Sequence, residues 1–292
     1  MPLGFPLEVE RQQRVDQILR FWEVETAKIT TFKADYERRE YDPVMGPVGK
    51  PNAIVRGHVR YYAPDRGLMQ DKQIYNFDPG AGQGDKPFKL AEDQHGEDWV
   101  CTGTSIFLKQ PENKLLIERQ LPPDLQGKAI SEGPLPFLFG AKAETMKRRF
   151  WIREVTPKDN PNGDYFLEAI PKNREDAANY ERVVVVLDKK DHFLPKKMEV
   201  TIRTLQAKGG AGKPGKTLRR VDVYVFKDRK VNDPTDRVKG FFATFVRPTL
   251  PKGWKTQVLD WNMQPVNGPI AEQPASSRQA QTRPKTDPRR AR

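Results

Sequence analysis

The feature that most constrains this chain is a change in the spacing of its apolar residues after Thr30. Before that point they recur three, four and seven positions apart, which predicts one amphipathic helix over Glu8–Ile29. After it, apolar and polar residues alternate with a period of two, which is typical of strands that bury one face. The spacing therefore predicts a helix followed by a chain that is almost entirely β-structure.

About eleven segments are strand candidates. They are Thr31–Glu40, Val55–Tyr62, Leu68–Phe77, Trp99–Lys109, Lys114–Leu121, Phe150–Val155, Tyr165–Ile170, Arg182–Lys189, Lys197–Gln206, Leu218–Lys227 and Phe241–Val246. Pro, Gly, Asn and Asp cluster between them and predict hairpin turns. Short strands joined by hairpins favour an antiparallel meander, and one helix ahead of them favours a strongly curved sheet wrapped around that helix. The expected fold class is α+β, mostly β.

Residues Gly133–Arg149 break the alternation. Pro134 and Pro136 introduce an aromatic cluster that cannot be a central strand, because proline lacks the N–H group that a strand ladder needs. A short helix over Ala143–Arg149 is expected to follow. We predict that this segment covers the sheet as a lid, and the apolar lid residues are Leu135, Phe137, Leu138 and Phe139.

The composition predicts one folded domain with a tail. Of the 292 residues 36% are apolar, and the longest uninterrupted apolar run, Val183–Leu187, is too short to cross a membrane as a helix. We predict an N-terminal extension at residues 1–7, a folded domain at 8–262 and a disordered basic tail at 263–292. The segment Met1–Glu10 lacks the basic and apolar regions of an export signal, so none is expected in the chain as printed.

The net charge of +12 raises the question of an anionic partner. Part of the excess lies in the tail, and elsewhere basic residues are interleaved with acidic ones, so we expect a solvated surface and no nucleic-acid partner. Gly210–Thr217 matches the phosphate-binding pattern G-x-x-x-x-G-K-[ST]. A strand-like segment follows it instead of a helix, and Pro214 removes one N–H donor. A flexible basic hairpin loop is favoured, and a nucleotide-dependent enzyme is a distant alternative.

The sequence contains no recognisable catalytic or metal-binding group. The single cysteine, Cys101, cannot form an internal disulfide and is expected to be a buried small hydrophobe. His58, His95 and His192 have no serine, cysteine or carboxylate at a spacing that defines a base or a metal site, and we expect all three at the surface. We therefore expect no enzyme activity, no cofactor and no metal.

The inward positions of the predicted sheet are rich in large apolar and aromatic groups. They are Phe32, Tyr36, Val59, Tyr61, Ile106, Leu108, Leu115, Ile117, Met198, Val200, Ile202, Val223, Val225 and Phe245. Such an interior could hold an apolar ligand beneath the lid. The alternative is an ordinary core filled by the N-terminal helix, since apolar inward faces are the rule in folded proteins.

The order of these elements resembles the LolA-like lipoprotein carrier superfamily, and most closely the LolA-like domain family of planctomycetes, over about residues 9–258. The motifs that carry the resemblance are the helix, the first strand, Gly57–Pro64, Cys101–Pro111, Pro134–Phe139, Tyr165–Pro171, Phe241–Pro248 and Pro251–Gly253. Two positions depart from the family pattern. Ala63 stands where the family has an arginine that ties the lid to the barrel, and Thr102 replaces the aspartate of an S-D-G motif.

The resemblance implies a half-open antiparallel β-barrel of about eleven strands with a helical lid. It also implies a monomeric carrier in the periplasm or cell envelope that binds the acyl chains of lipoproteins, or another lipid-like ligand, and meets a membrane-associated delivery partner. The alternative of another class is a structural or interaction module with a collapsed cavity, whose basic tail docks on an acidic partner or a membrane.

Overall fold

The computed structural model describes residues 5–44, 46–80, 87–96, 98–124, 126–127, 137–138, 142–204, 218–237, 239–261, 264–266 and 271–272. Within these ranges the chain forms four helices and fourteen strands. They are α1 (Val9–Thr26), β1 (Thr31–Tyr41), β2 (Ala53–Tyr62), β3 (Arg66–Phe77), β4 (Phe88–Leu90), β5 (Asp98–Thr102), β6 (Ser105–Gln110), β7 (Leu115–Gln120), α2 (Ala143–Arg149), β8 (Phe150–Glu154), β9 (Tyr165–Pro171), α3 (Arg174–Asn179), β10 (Arg182–Asp188), β11 (Leu194–Thr204), β12 (Leu218–Val231), α4 (Lys239–Phe242), β13 (Lys255–Leu259) and β14 (Ala271–Glu272).

The predicted helices are confirmed, with one shorter than expected. α1 ends at Thr26 because the chain tightens there: the Thr26 hydroxyl donates to the Trp22 carbonyl at 2.6 Å, and the N–H of Ile29 bonds to the Thr26 carbonyl at 3.0 Å. α2 has the predicted bounds. Its first N–H, on Ala143, donates to the Glu23 carboxylate at 3.0 Å and so ties α2 to α1.

The strands form one sheet that is a half-open, mostly antiparallel β-barrel. Its order is β14-β13-β7-β6-β5-β3-β2-β1-β12-β11-β10-β9-β8, with β4 paired to β3 outside this path. Neighbouring strands pair antiparallel except β13 and β7, which run parallel. In the described part of the chain β8 and β14 end the order without pairing to each other, so the barrel is not closed. The predicted fold class is therefore confirmed.

The main core shows how strongly the sheet bends. One cluster of buried residues joins Val15, Ile18 and Trp22 of α1 to Ile106 of β6 and Phe150 of β8. These two strands are nine spacings apart in the sheet order. A flat sheet would separate them by about 43 Å at ~4.8 Å per strand, whereas a helix with its side chains is only ~10–12 Å wide. The sheet therefore curls around α1.

Two predicted strands are wrong. Trp99–Lys109 is not one strand but the hairpin of β5 and β6, because Gly103 adopts a φ of 92°, a left-handed conformation that glycine accepts at no steric cost. Phe241–Val246 is not a strand either. Its chain forms the helical turn α4 and further turns, and Phe241 and Phe245, four residues apart, pack on each other with ring centroids 5.4 Å apart.

Phe241 and Phe245 belong to a second, smaller core, which we call the outer cluster. Its strand residues are Leu68, Val100, Phe107 and Leu116. Met69, Cys101 and Ile106 are each adjacent in sequence to one of these residues, but they pack in the main core instead. Side chains of a strand alternate between faces, so the outer cluster covers the face of the sheet that points away from α1.

Residues that follow the domain boundary expected at residue 262 still contact the folded domain. The N–H of Val266 bonds to the Val258 carbonyl at 3.0 Å, and Ala271–Glu272 pairs with Lys255 and Thr256. At the other end, the Phe5 ring lies 4.7 Å from the Arg153 guanidinium. The domain boundaries themselves remain a prediction, and residues 1–4 and 273–292 lie outside the described residues. No helix in the described ranges combines the length and apolarity needed to span a bilayer.

The packing of α1 gives a stability prediction. Leu19 is 1% exposed, so Leu19→Ala should lower the free energy of unfolding by about 3–5 kcal/mol through lost burial and a residual cavity. Gln17→Ala on the exposed side of the same helix is the control and should change it by less than about 0.5 kcal/mol. Urea denaturation followed by circular dichroism measures both. Equal values for the two variants would show that α1 does not carry the core.

Candidate ligand-binding face

The face of the sheet that points toward α1, here called the inner face, carries one continuous apolar row across six strands. Cross-strand pairing places its members side by side, and they are Ala34, Val59, Met69, Trp99, Leu108 and Ile117. Directly paired residues of neighbouring strands share a face, so the row is a single surface. It begins at β1, in the middle of the sheet order, and runs to β7.

Burial along this row changes from one end to the other. Ala34 and Val59 are buried in the main core, at 3% and 0% exposure. Met69, Trp99, Leu108 and Ile117 are only half-buried, although they point to the same side. Tyr61, which follows Val59 on the inner face of β2, is also half-buried. We call Tyr61, Met69, Trp99, Leu108 and Ile117 the inner strip. It is an apolar surface that the helix does not fully cover.

The structure brings most of the predicted cavity residues to the inner face. Phe32, Tyr36, Val59, Ile106 and Met198 are buried in the main core. Tyr61, Leu108, Leu115, Ile117, Val200 and Ile202 are half-buried on the same face. Of the predicted lid, Phe137 and Leu138 are buried in the main core, and the Phe137 ring lies 5.1 Å from that of Phe150. Leu135 and Phe139 lie outside the described residues.

Three predicted inward positions are wrong. Val223 and Val225 lie on the opposite face of β12, where their partners on β1 are Arg39 and Glu37. The reason is that β12 has two competing alternations, and the one with Tyr224 and Phe226 buries the larger aromatic surface. Their rings lie 6.0 and 6.4 Å from that of Tyr36.

The third is Phe245, which packs in the outer cluster. Its segment is helical and turned instead of extended, so the period-two reading that assigned Phe245 to the inner face does not apply there.

Beside the apolar surface, the inner face carries a group of buried charges that the sequence analysis missed. We call Arg38, Glu40, Asp71, Arg220 and Asp222 the inner charge cluster. The Arg38 guanidinium lies 3.0 Å from both the Asp71 and the Glu40 carboxylates, and the Arg220 guanidinium lies 2.7 Å from Asp222. The Asp71 and Asp222 side chains are only 2% and 3% exposed. Buried carboxylates need such partners, because an isolated charge is costly to desolvate.

A glycine allows a tyrosine to join this cluster. Gly57 on β2 lies between Tyr36 on β1 and Asp71 on β3 in the strand pairing. The Tyr36 hydroxyl crosses over it and donates a hydrogen bond to the Asp71 carboxylate. A Cβ atom at residue 57 would lie 2.4 Å from the Tyr36 hydroxyl oxygen, so any other residue would block this crossing.

The cluster perturbs the titration of its members. Burial, together with the negative charge of Asp71, raises the pKa of the Tyr36 hydroxyl. Burial also raises the pKa of Glu40, against the opposing effect of Arg38. Burial alone would lower the pKa of Arg38, but the groups around it, Tyr224, Asp71 and Glu40, raise it. Arg38 therefore stays charged, and its charge holds the surrounding acids in place.

A signal for this cluster is present in the sequence. Arg38 and Glu40 continue the same alternation as Phe32, Ala34 and Tyr36, so they occupy inward positions of β1. Two charged residues on an inward register predict a buried polar network. Asp71 had no such signal. It follows Met69 by two residues in unbroken pairing with β2, which places it on the inner face, but Leu68 and Met69 are both apolar and leave the inward register of β3 open in the sequence.

The cysteine, the histidines and the glycine-rich loop are the other candidates from the sequence. Cys101 is buried as predicted, with 0% exposure. His95 and His192 are exposed as predicted, and His58 is half-buried, with a pKa lowered mainly by burial. Gly210–Thr217 lies outside the described residues. In the parts of the chain that are described, no group of His, Cys, Asp and Glu residues has the arrangement of a metal site.

Comparison with known proteins gives structural likenesses only. No protein-family model matches the chain, and no curated protein does. A LolA superfamily protein from Nitrosomonas europaea is 14% identical, with a TM-score of 0.32 over 78% of this chain and 98% of its own. Lipoprotein LppX of Mycobacterium tuberculosis is 11% identical, with a TM-score of 0.33 over 76% and 97%.

A third solved structure is a DUF1329 family protein from Desulfovibrio piger, which is 10% identical with a TM-score of 0.40 over 82% of this chain and 99% of its own. The neighbours thus include the LolA superfamily named in the sequence analysis. At these identities and scores the likenesses assign no function to this chain. The closer resemblance to the planctomycete family stays a prediction.

The inner charge cluster gives a second stability prediction. Arg38→Met leaves Asp71 and Glu40 buried without their cation and should lower the free energy of unfolding by about 3–5 kcal/mol. Adding Asp71→Asn should restore part of the lost stability, because it removes a buried negative charge that no longer has a cation beside it. The control is Arg39→Met, whose side chain is 49% exposed beside Glu37, and it should cost less than about 1 kcal/mol. Urea denaturation of the four proteins tests this, and a double variant less stable than Arg38→Met would contradict it.

Cys101 gives a third prediction. Burial raises the pKa of its thiol to about 11, and the Sγ atom donates to the Asp65 carbonyl at 3.1 Å. Because the thiolate is the reactive form, the native protein should react with a disulfide reagent at about pH 8 far more slowly than the urea-unfolded protein. Absorbance of the released thiolate follows both rates. Equal rates would show that Cys101 is accessible.

Proposed function

We propose that this protein is a non-enzymatic carrier that holds an acyl chain, or another apolar ligand, against the inner strip of its half-open barrel. The observation that carries the proposal is the row from Ala34 to Ile117, which is in register across six strands but buried at only one end. In an ordinary core the whole row would be covered. An apolar surface left half-exposed inside a fold favours a ligand site.

The energetics suit a transferable ligand. Each methylene removed from water contributes about 0.8 kcal/mol, so ten buried methylenes contribute roughly 8 kcal/mol. The loss of translational and rotational freedom on binding offsets at least ~4 kcal/mol of this. The remainder is at most ~4 kcal/mol, which corresponds to a dissociation constant of about millimolar or weaker for ten methylenes. Such binding is reversible, as a carrier requires.

The finer identity of the ligand belongs to the same proposal. The resemblance in sequence favours the acyl chains of lipoproteins, a place in the periplasm or cell envelope, a monomer and a membrane-associated delivery partner. Ala63 occupies the position of the family arginine that ties lid to barrel. Phe137 nevertheless packs against Phe150 and Tyr180, and Leu138 is buried in the main core. In this proposal that packing holds the lid in place of the arginine.

A second candidate follows from the packing of α1. Val15, Ile18, Leu19 and Trp22 are each 1% exposed and pack in the main core inside the barrel. This favours the alternative in which the interior is fully occupied and the protein is a structural or interaction module, with its basic tail docked on an acidic partner or a membrane. The two candidates differ in one respect: only a carrier binds a fatty acid saturably on the inner strip.

The test is a binding titration on delipidated protein with a fluorescent fatty acid, followed by competition with a lipopeptide. We expect saturable binding that the lipopeptide displaces. Leu108→Asn on the inner strip should weaken the affinity by about tenfold, because it places an amide where the acyl chain packs. Absence of saturable binding would reject the carrier and favour the interaction module.

The matched control is Val225→Asn. Leu108 and Val225 are both half-buried strand residues, but Val225 lies on the outer face, opposite Glu37. Its affinity should stay within about twofold of the unmodified protein. Equal weakening in the two variants, with equal losses in thermal stability, would place Leu108 in an ordinary structural role.

A further inference from the structure

A second surface, outside the inner strip, combines an exposed apolar pair and two half-buried aromatic rings with cations. On the outward side of α1, Phe21 and Val24 are each 57% exposed. With Arg14 and Gln17 they form one stripe, since residues three and four apart lie on the same side of a helix. An apolar pair on the solvent side of an amphipathic helix contradicts the pattern that the rest of α1 follows.

Two further rings extend this stripe. The Phe193 ring stacks on Phe21 with centroids 6.2 Å apart and on Tyr165 with centroids 5.6 Å apart. The Arg14 guanidinium lies 5.2 Å from the Tyr165 ring on the same side. Tyr165 packs against the main core, so the stack starts at the core and ends at the surface. We call Phe21, Val24, Tyr165 and Phe193 the aromatic platform.

The backbone at the platform adopts an unfavourable conformation. His192 and Phe193 have φ values of 51° and 53°, so two consecutive residues with bulky side chains adopt the left-handed conformation. This conformation is sterically unfavourable for residues other than glycine. The stacking of Phe193 between two rings holds it there. The fold therefore keeps the half-buried Phe193 ring beneath Phe21, at the edge of the main core, at the expense of local strain.

The charges around the platform leave cations available. Arg20, Lys189 and Lys190 are exposed and have no ion pair within the described part of the chain. The nearby acids are paired: Asp188 and Asp191 lie 2.6 and 3.1 Å from the Arg229 guanidinium, and Glu25 lies 2.5 Å from Lys28. Arg20, Lys189 and Lys190 therefore keep their charges unneutralised by an acid of the described residues, and the Lys189 ammonium lies 5.9 Å from the Tyr165 ring.

We propose that the aromatic platform, with Arg20, Lys189 and Lys190, docks the protein on an anionic lipid surface. Lysines near such a surface are attracted to lipid phosphates, and aromatic side chains enter the region between headgroups and acyl chains. Phe21 and Val24 protrude from the convex surface of α1, a shape that a bilayer interface accepts, and the positive charges of Arg20, Lys189 and Lys190 complement anionic headgroups. The proposal does not depend on the ligand that the inner strip binds.

The experiment is co-sedimentation of the full chain with vesicles of phosphatidylcholine alone or with about one quarter phosphatidylglycerol. We expect binding only to the anionic vesicles, weakened by salt. Lys189→Glu with Lys190→Glu should weaken it by at least about tenfold. Phe21→Ser should remove the binding that persists at high salt. Thermal melts show whether each variant is folded. If the double lysine variant unfolds, the vesicle binding of Phe21→Ser still tests the proposal.

The matched control reverses two exposed lysines elsewhere, Lys252→Glu with Lys255→Glu, which gives the same net charge. Its binding should stay within about twofold of the unmodified protein, because these lysines lie on β13 and the turn before it. Equal loss in the two double variants would overturn the proposal, since net charge alone would then explain binding. So would no binding to anionic vesicles, or full competition by soluble polyglutamate, which would indicate an acidic protein partner.

Discussion

The structure depends on one helix packed inside a bent sheet. Val15, Ile18, Leu19 and Trp22 of α1 are almost completely removed from water, and this burial joins strands that lie far apart in the sheet order. Without α1 the inner face would expose a large apolar area, which is unfavourable by about 25 cal/mol per Å². The curvature of the sheet, the position of α2 and the half-covered state of the inner strip all follow from where α1 lies.

The inner face is divided between two kinds of interaction. Along β2, β3, β5, β6 and β7 it is apolar and half-open, which suits a ligand bound without directional contacts. Around Arg38 and Asp71 the inner face carries charged side chains that are buried and paired with one another. A buried cluster of this kind adds specificity of structure more than stability, because desolvation offsets much of the attraction between its charges. It limits the region that an apolar ligand can occupy to the β3–β7 side.

The sequence predicts elements well where a single period dominates and less well where two compete. α1 and α2 follow from spacing alone, and so do most strands. On β12, valines alternate with an aspartate and two aromatic residues, and only tertiary packing decides that Phe226 points inward. Phe241 and Phe245 fit both a strand and a helical turn, and their contacts with Leu68 and Phe107 in the outer cluster decide for the turn. The inward position of Asp71 follows from the register of β3, which the adjacent apolar residues Leu68 and Met69 leave open in the sequence.

The most direct measurement of the central claim is photo-crosslinking of delipidated protein with a diazirine-bearing fatty acid, mapped by mass spectrometry. If the open part of the barrel holds the ligand, labels will concentrate on peptides that carry Met69, Trp99 and Leu108, and unlabelled fatty acid will suppress them. Labels spread over the outer face, or none above background, would contradict a ligand site inside the barrel.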